Sequence, residues 1–170
     1  MELKEYQELA TATAEPRAYD LAYLIPGIVS EVGELLGQQA KAHWHGWETE
    51  KLQDALVLEY GDIAWLTAVL LKVHGKDNTL PHTVTRSPYT PQQQLVGLAS
   101  SMHLAWTVDG VSPQMRAGWI QDEALRMWRR LEQYCLQVTG CSFDTVLQAN
   151  LDKLASRAQR NVLRGAGDYR

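Results

Sequence analysis

Two pairs of acidic residues constrain the fold of this chain more than any other feature of its sequence. Glu31 and Glu34 form one pair, Glu59 and Asp62 form the other, and both pairs lie in long stretches with helical periodicity. A three-residue spacing puts both members of a pair on one side of a helix. If the two helices pack together, four carboxylates converge and repel one another. A hard divalent cation that prefers oxygen ligands, Mg²⁺ or Mn²⁺, would relieve this repulsion.

The second acidic pair is embedded in the apolar face of its helix. Glu59 has Leu56 and Ile63 within one turn, and Asp62 has Leu66. Because burying an unpaired carboxylate is costly, a cation should meet these acids. That cation is either a metal ion or a Lys or Arg side chain from another helix, and the residues alone leave both interpretations open. Two semi-buried pairs on consecutive helices, joined by a short turn, favour the metal.

Helical periodicity covers almost the whole chain, and no run of alternating β-branched residues appears. We therefore predict an all-α fold. Thr49 is a plausible N-cap for the third helix, and Pro26-Gly27 is a plausible bend in the second. The predicted helices run from residue 3 to before residue 16, and over about 19–43, 50–74, 92–107, 114–138 and 143–159, with a long loop over 76–91.

Composition and charge exclude several classes of protein. With 170 residues, 45% of them hydrophobic and 21% charged, the chain is suited to one folded domain, which we expect to span residues 1–170. A net charge of −4 argues against a nucleic acid as partner, since such partners need a basic surface. The N-terminus has no apolar signal-peptide core, and the most apolar stretch, residues 63–73, is too short to span a bilayer. We therefore expect a soluble, cytoplasmic protein with no membrane partner.

Glycines are concentrated around the acidic pairs. Gly27, Gly33 and Gly37 lie in the second predicted helix, and Gly61 lies between Glu59 and Asp62 in the third. Each glycine inside a helix costs about 1 kcal/mol relative to alanine. Small residues let helix backbones approach closely, so we expect these glycines to bring the two acidic pairs together.

A basic face lies on the last predicted helix. Asn150, Lys153 and Arg157 are spaced at i, i+3 and i+7, which puts them on one side. Lys and Arg suit phosphate oxygens, although basic residues near the end of a helix also favour its dipole without binding any ligand. Beside a metal site the phosphate interpretation is favoured. Further arginines continue this basic character towards the C-terminus: Arg160, Arg164 and Arg170.

The order of these motifs resembles a known family. Glu31-x-x-Glu34, followed about two dozen residues later by Glu59-x-Gly61-Asp62, is similar to the all-α nucleoside triphosphate pyrophosphohydrolases of the MazG-like group. Residues 5–10, 45–52 and 143–157 look like the first helix, the turn into the third helix and the last helix of that group. The resemblance covers residues 1–74 and 140–170, so residues 76–139, with at least two helices, look like an insertion between the third and last core helices.

The resemblance implies a site and a reaction. The four acids would hold Mg²⁺ or Mn²⁺, and Glu34 would orient or deprotonate the attacking water. Cleavage between the α- and β-phosphates of a nucleoside triphosphate would give a monophosphate and pyrophosphate. The basic face, with Asn150, Lys153 and Arg157, would bind the substrate's phosphates, and Lys41 on the second helix is a further candidate. The family also implies a homodimer or homotetramer.

Substrate identity and two alternatives stay open. The C-terminal residues 164–170 look like those of phage-type members, the MazZ-like dGTP diphosphohydrolases among them, so dGTP or GTP is one candidate substrate. Phosphoribosyl-ATP pyrophosphatases share the same acid layout and are the enzymatic alternative. The non-enzymatic alternative is a helical oligomeric scaffold in which the acids are simply paired with Lys or Arg.

Overall fold

The computed structural model describes residues 1–12, 14–75 and 87–160. These residues form six α-helices and one short 3-10 helix, and they contain no strand, so the predicted all-α fold is confirmed. The helices are α1 (Leu3–Ala10), α2 (Leu21–His45), α3 (Thr49–His74), α4 (Pro91–Thr107), α5 (Pro113–Thr139) and α6 (Phe143–Gln159), and the 3-10 helix, Pro16–Tyr19, lies between α1 and α2. Most of the predicted loop and the C-terminal tail with Arg164 and Arg170 lie outside the described residues.

Local sequence signals fix most of the helix ends. At the start of α2 the Asp20 side chain accepts a hydrogen bond from the backbone N–H of Ala22 (2.9 Å). Gly46 and Gly140 end α2 and α5 in the left-handed region, with φ of 61° and 76°, which glycine adopts at no steric cost. The prediction for Thr49 is wrong. Thr49 is the first residue of α3, and the N-cap position falls one residue earlier.

Helices α2 to α5 form two hairpins, and α3 has the largest number of neighbouring helices. Helix α3 contacts α1, α2, α5 and α6, while α4 contacts α2 and α5. The pairs α2–α3 and α4–α5 therefore make a four-helix arrangement, with α1 and α6 packed on α3. The two helices expected between residues 92 and 138 are present, and they contribute to the same hydrophobic core as the acidic helices. Because four helices pack against α3, these contacts fix its position relative to α2 and α6.

Burial of α3 explains why it can hold acids in a fixed place. Nearly half of its residues are buried, including Tyr60, Ile63, Ala64 and Val69, none of which is measurably exposed. Such a helix cannot rotate without exposing apolar surface to water. In the described ranges no helix is both long and apolar enough to cross a membrane.

The glycines near the acids have different surroundings. A Cβ added at Gly27 would lie 3.2 Å from Leu66 of α3, and one added at Gly61 would lie 3.0 Å from the Cβ of Asn150 of α6. Gly27 therefore lies at a close contact between α2 and α3, as expected. Gly61 lies at a close contact between α3 and α6, so it does not bring the two acidic pairs together. At Gly33 and Gly37 the expectation is wrong, since a Cβ there would meet nothing within 4 Å. These two glycines face open space and do not draw α2 towards α3.

Gly61→Ala is expected to lower the free energy of unfolding by about 1–3 kcal/mol, because the new methyl group would force α6 away from α3. Gly97→Ala on α4 is the matched control. Its Cβ would meet nothing within 4 Å, so it should stabilise the helix by about 0.5–1 kcal/mol. Urea unfolding of both variants measures the two effects. If both substitutions changed the free energy of unfolding by the same amount and in the same direction, the close approach of α6 at Gly61 would be contradicted.

Candidate active site

Three of the predicted acids come together at the interface of α2 and α3. Each of Glu31, Glu34 and Glu59 offers one carboxylate oxygen, and these three oxygens lie within 4.8 Å of one another. Glu59 is only 6% exposed, Glu31 is half-buried and Glu34 is exposed. Among the described residues, no Lys or Arg forms a salt bridge with any of the three.

The surroundings of Glu31 and Glu59 oppose the ionisation of their carboxyl groups. Burial, and after it the negative charges of Asp62, Glu34 and Glu59, raise the pKa of Glu31 to about 8, although the nearby Lys153 acts in the opposite direction. Burial also raises the pKa of Glu59, although a hydrogen bond from Gln38 Nε2 to its Oε1 (2.7 Å) partly opposes this. Three converging carboxylates that form no salt bridge with a described Lys or Arg, two of them with raised pKa values, fit a hard divalent cation such as Mg²⁺ or Mn²⁺.

Asp62, the fourth predicted metal ligand, has different partners. Its Oδ1 accepts a hydrogen bond from Asn150 Nδ2 (3.0 Å), and its Oδ2 pairs with Lys153 Nζ (2.6 Å). The Oδ1 of Asn150 in turn accepts from the hydroxyl of Tyr6 (2.8 Å). Of the four predicted acids, Asp62 is the one that forms a salt bridge with a described Lys of another helix, as the alternative interpretation of the sequence expected. Asp62 is not one of the three clustered carboxylates, but its charge acts on Glu31.

The predicted phosphate-binding residues are divided between two places. Asn150 is buried, Lys153 is half-buried, and Arg157 lines a cavity beside the acids. These three residues of α6 face the α3 side of the site. Lys41 is exposed on α2, two turns after Glu34, and it makes no hydrogen bond or ion pair with a described residue.

A cavity of about 670 Å³ adjoins the acidic cluster. Of the predicted metal ligands, Glu31 and Asp62 line it. The remaining walls come from the 3-10 helix and the residues before it, and from α2, α3 and α6: Ala14, Glu15, Pro16, Arg17, Ala18, Tyr23, Trp65, Leu66, Leu154 and Arg157. Small-molecule sites have this size and this mixture of apolar walls and a few charged groups.

Several residues of the site were not predicted from the sequence. Gln38 could have been found, because it lies four residues after Glu34 and so on the same helix face. Tyr23 lies eight residues before Glu31, which also places it near that face. Arg17 belongs to a segment without periodicity, and no sequence signal connects it to the acids.

Comparison with known proteins finds no match for this chain among protein-family models, curated proteins or solved structures.

Proposed function

We propose that this chain is a metal-dependent nucleoside triphosphate pyrophosphohydrolase, a nucleotide diphosphatase that acts between the α- and β-phosphates. One observation carries the proposal. Glu31, Glu34 and Glu59 converge without a salt bridge to any Lys or Arg of the described residues, beside a cavity that Arg157 lines and near Lys153. A protein that only needed a stable core would gain by replacing such carboxylates with apolar residues.

The proposed roles follow from position and exposure. Glu31, Glu34 and Glu59 would hold Mg²⁺ or Mn²⁺, and Asp62 would add a fourth carboxylate. When bound, such a cation neutralises charge developing on phosphate oxygens and lowers the pKa of a water. Because Glu34 is the exposed acid of the cluster, it can reach a water and accept its proton.

The phosphate groups would be held from α6. Arg157 lines the cavity and offers a planar fork of donors, and Lys153 offers a point charge. In the reaction, the water oxygen bonds to the α-phosphorus, and the bond from that phosphorus to the bridging oxygen breaks. The electron pair leaves with pyrophosphate and the water's proton goes to Glu34. Lys41 stays a candidate for contact with the outer phosphates.

Two alternatives make different demands on the same residues. A phosphoribosyl-ATP pyrophosphatase would use the same acids with a larger substrate. A non-catalytic scaffold accounts for the Asp62–Lys153 pair (2.6 Å), but it gives no reason for three converging glutamates without a salt bridge beside that pair. Activity on dGTP or GTP, a homodimer or homotetramer, and a cytoplasmic location in a bacterial cell or a phage-infected host stay predictions.

Product analysis tests the proposal. The protein is incubated with Mg²⁺ or Mn²⁺ and each standard ribo- and deoxyribonucleoside triphosphate, and the products are separated by anion-exchange chromatography. The expected products are a monophosphate and pyrophosphate, with no turnover when EDTA is present. Diphosphate and orthophosphate would show that the reaction type is wrong. No turnover with any substrate, phosphoribosyl-ATP included, would favour the scaffold.

A further inference from the structure

We propose that the cavity beside the acidic cluster is the nucleoside subsite, and that Arg17 of the 3-10 helix is a specificity-determining residue that contacts the nucleoside. The inference rests on the proposed function, since it assumes that phosphates bind at the acids. It adds a part of the chain, residues 14–18, that the acid and basic motifs do not include.

The cavity extends well away from the acids. On α2 its lining includes Glu31 and Tyr23, which are eight residues and so about 12 Å apart along the helix axis. On α3 it runs from Asp62 to Trp65 and Leu66, in the direction that leads away from Glu59. A substrate whose phosphates lie at the glutamates therefore has its other end directed towards Tyr23 and the 3-10 helix.

The walls at that far end suit a flat, partly apolar group. Trp65 donates its indole N–H to the backbone carbonyl of Ala10 (3.0 Å), so its ring offers the cavity apolar surface and no free donor. Apolar walls continue this surface on both sides: Ala14, Pro16, Ala18, Leu66 and Leu154. A nucleobase and its sugar need such a surface, whereas a triphosphate does not.

Arg17 supplies hydrogen-bond donors at this end of the cavity, where Glu15 is the other charged lining residue of the segment 14–18. Its guanidinium has five N–H donors and no acceptor, and it makes no hydrogen bond or ion pair with any described residue. The backbone around it is anchored, because the Arg17 carbonyl accepts from the N–H of Asp20 (3.3 Å), the residue that caps α2. Arg17 thus presents donors to acceptor atoms of a base or a sugar, while Arg157 and Lys153 lie on the α6 side.

Binding measurements separate a nucleoside contact from a phosphate contact. Isothermal titration calorimetry in the presence of Mg²⁺ uses two kinds of probe. The first kind is the set of α,β-methylene analogues of the four standard deoxynucleoside triphosphates, which resist cleavage, and the second is inorganic tripolyphosphate, which has no base. Arg17→Ala is compared with Arg129→Ala, a change of a surface arginine of α5 that does not line the cavity.

The expected result is a loss of about tenfold or more in affinity for the best-bound nucleotide analogue with Arg17→Ala, and no change for tripolyphosphate. Arg129→Ala should change neither affinity. An equal loss for both probes would overturn the inference by making Arg17 a phosphate ligand, and no loss for either would remove it from the site. If wild-type protein bound tripolyphosphate but none of the nucleotide analogues, the nucleoside subsite would be excluded, and the proposed phosphate site would still be supported. If it bound neither probe, the proposed function would fail as well.

Discussion

Glu59→Gln is expected to reduce metal-dependent turnover by roughly 10²–10⁴-fold while the fold is retained. Glu59 is the most buried acid of the cluster, so its charge acts on a bound cation with little screening by water. Loss of a metal ligand removes several kcal/mol of charge stabilisation in the transition state, and each 1.4 kcal/mol corresponds to tenfold in rate.

The fold should survive because glutamine has nearly the same shape. Gln38 Nε2 donates to Glu59 Oε1 at 2.7 Å, and the amide oxygen of a glutamine at position 59 can accept that bond. The measurements are kcat/KM with Mn²⁺ and the melting temperature with EDTA. Glu132→Gln on α5, where the carboxylate forms an exposed pair with Arg129, is the matched control and should leave both unchanged. Full activity of Glu59→Gln would contradict the metal role of the cluster.

The second large effect is a dependence of stability on pH that a divalent cation reverses. The pKa of Glu31 is about 8 in the folded protein, against an ordinary value of 4.5. The folded state therefore binds this proton more tightly than the unfolded state does. The stability that results is fully present below about pH 4.5 and is lost as the pH rises towards 8. The raised pKa of Glu59 acts in the same direction.

Comparison with Glu31→Gln isolates this effect from the rest of the protein. In EDTA, the melting temperature of Glu31→Gln minus that of the wild type should increase steadily between pH 4.5 and 8. At pH 8, Mn²⁺ at a hundred times its dissociation constant should raise the melting temperature of the wild type by roughly 5–10 °C. The melting temperature of Glu31→Gln should rise much less when Mn²⁺ is added. A difference that stays flat with pH, or equal gains with Mn²⁺, would show that Glu31 is ordinarily solvated and holds no cation.

The helices and the convergence of Glu31, Glu34 and Glu59 could be predicted because both depend on local sequence, whereas Asp62, expected as the fourth member, does not join the cluster. Spacing of three puts Glu31 and Glu34 on one face of α2, and the short connection through Gly46 makes α3 its antiparallel neighbour. Glu59 then faces them. The same reasoning places Gln38, although its bond to Glu59 becomes evident only in the structure.

Contacts that depend on the register of distant helices could not be predicted. Asp62 pairs with Lys153, 91 residues away, because α6 packs closely on α3 at Gly61. The local spacing of residues does not determine the axial position of α6 relative to α3. The cavity was missed for a related reason, since one of its walls is the aperiodic segment around Arg17.

The two helices between α3 and α6 also have a role that the sequence pattern does not reveal. Helix α4 packs on α2, and α5 packs on α3, so this hairpin buries apolar surface of both acidic helices within one chain. Four large side chains of this hairpin are at most 2% exposed: Leu95, Met102, Ile120 and Met127. The acidic helices therefore depend on α4 and α5 for their position.

The most direct test of the central claim is a Mn²⁺ titration followed by the electron paramagnetic resonance signal of the free ion. Wild-type protein should bind Mn²⁺ saturably at pH 7.5, and Mg²⁺ should compete. The triple variant Glu31→Gln, Glu34→Gln and Glu59→Gln should leave the ion free at the same protein concentration, with its fold verified by circular dichroism. Equal binding by the wild type and the folded triple variant would contradict the claim that these three glutamates form a metal site.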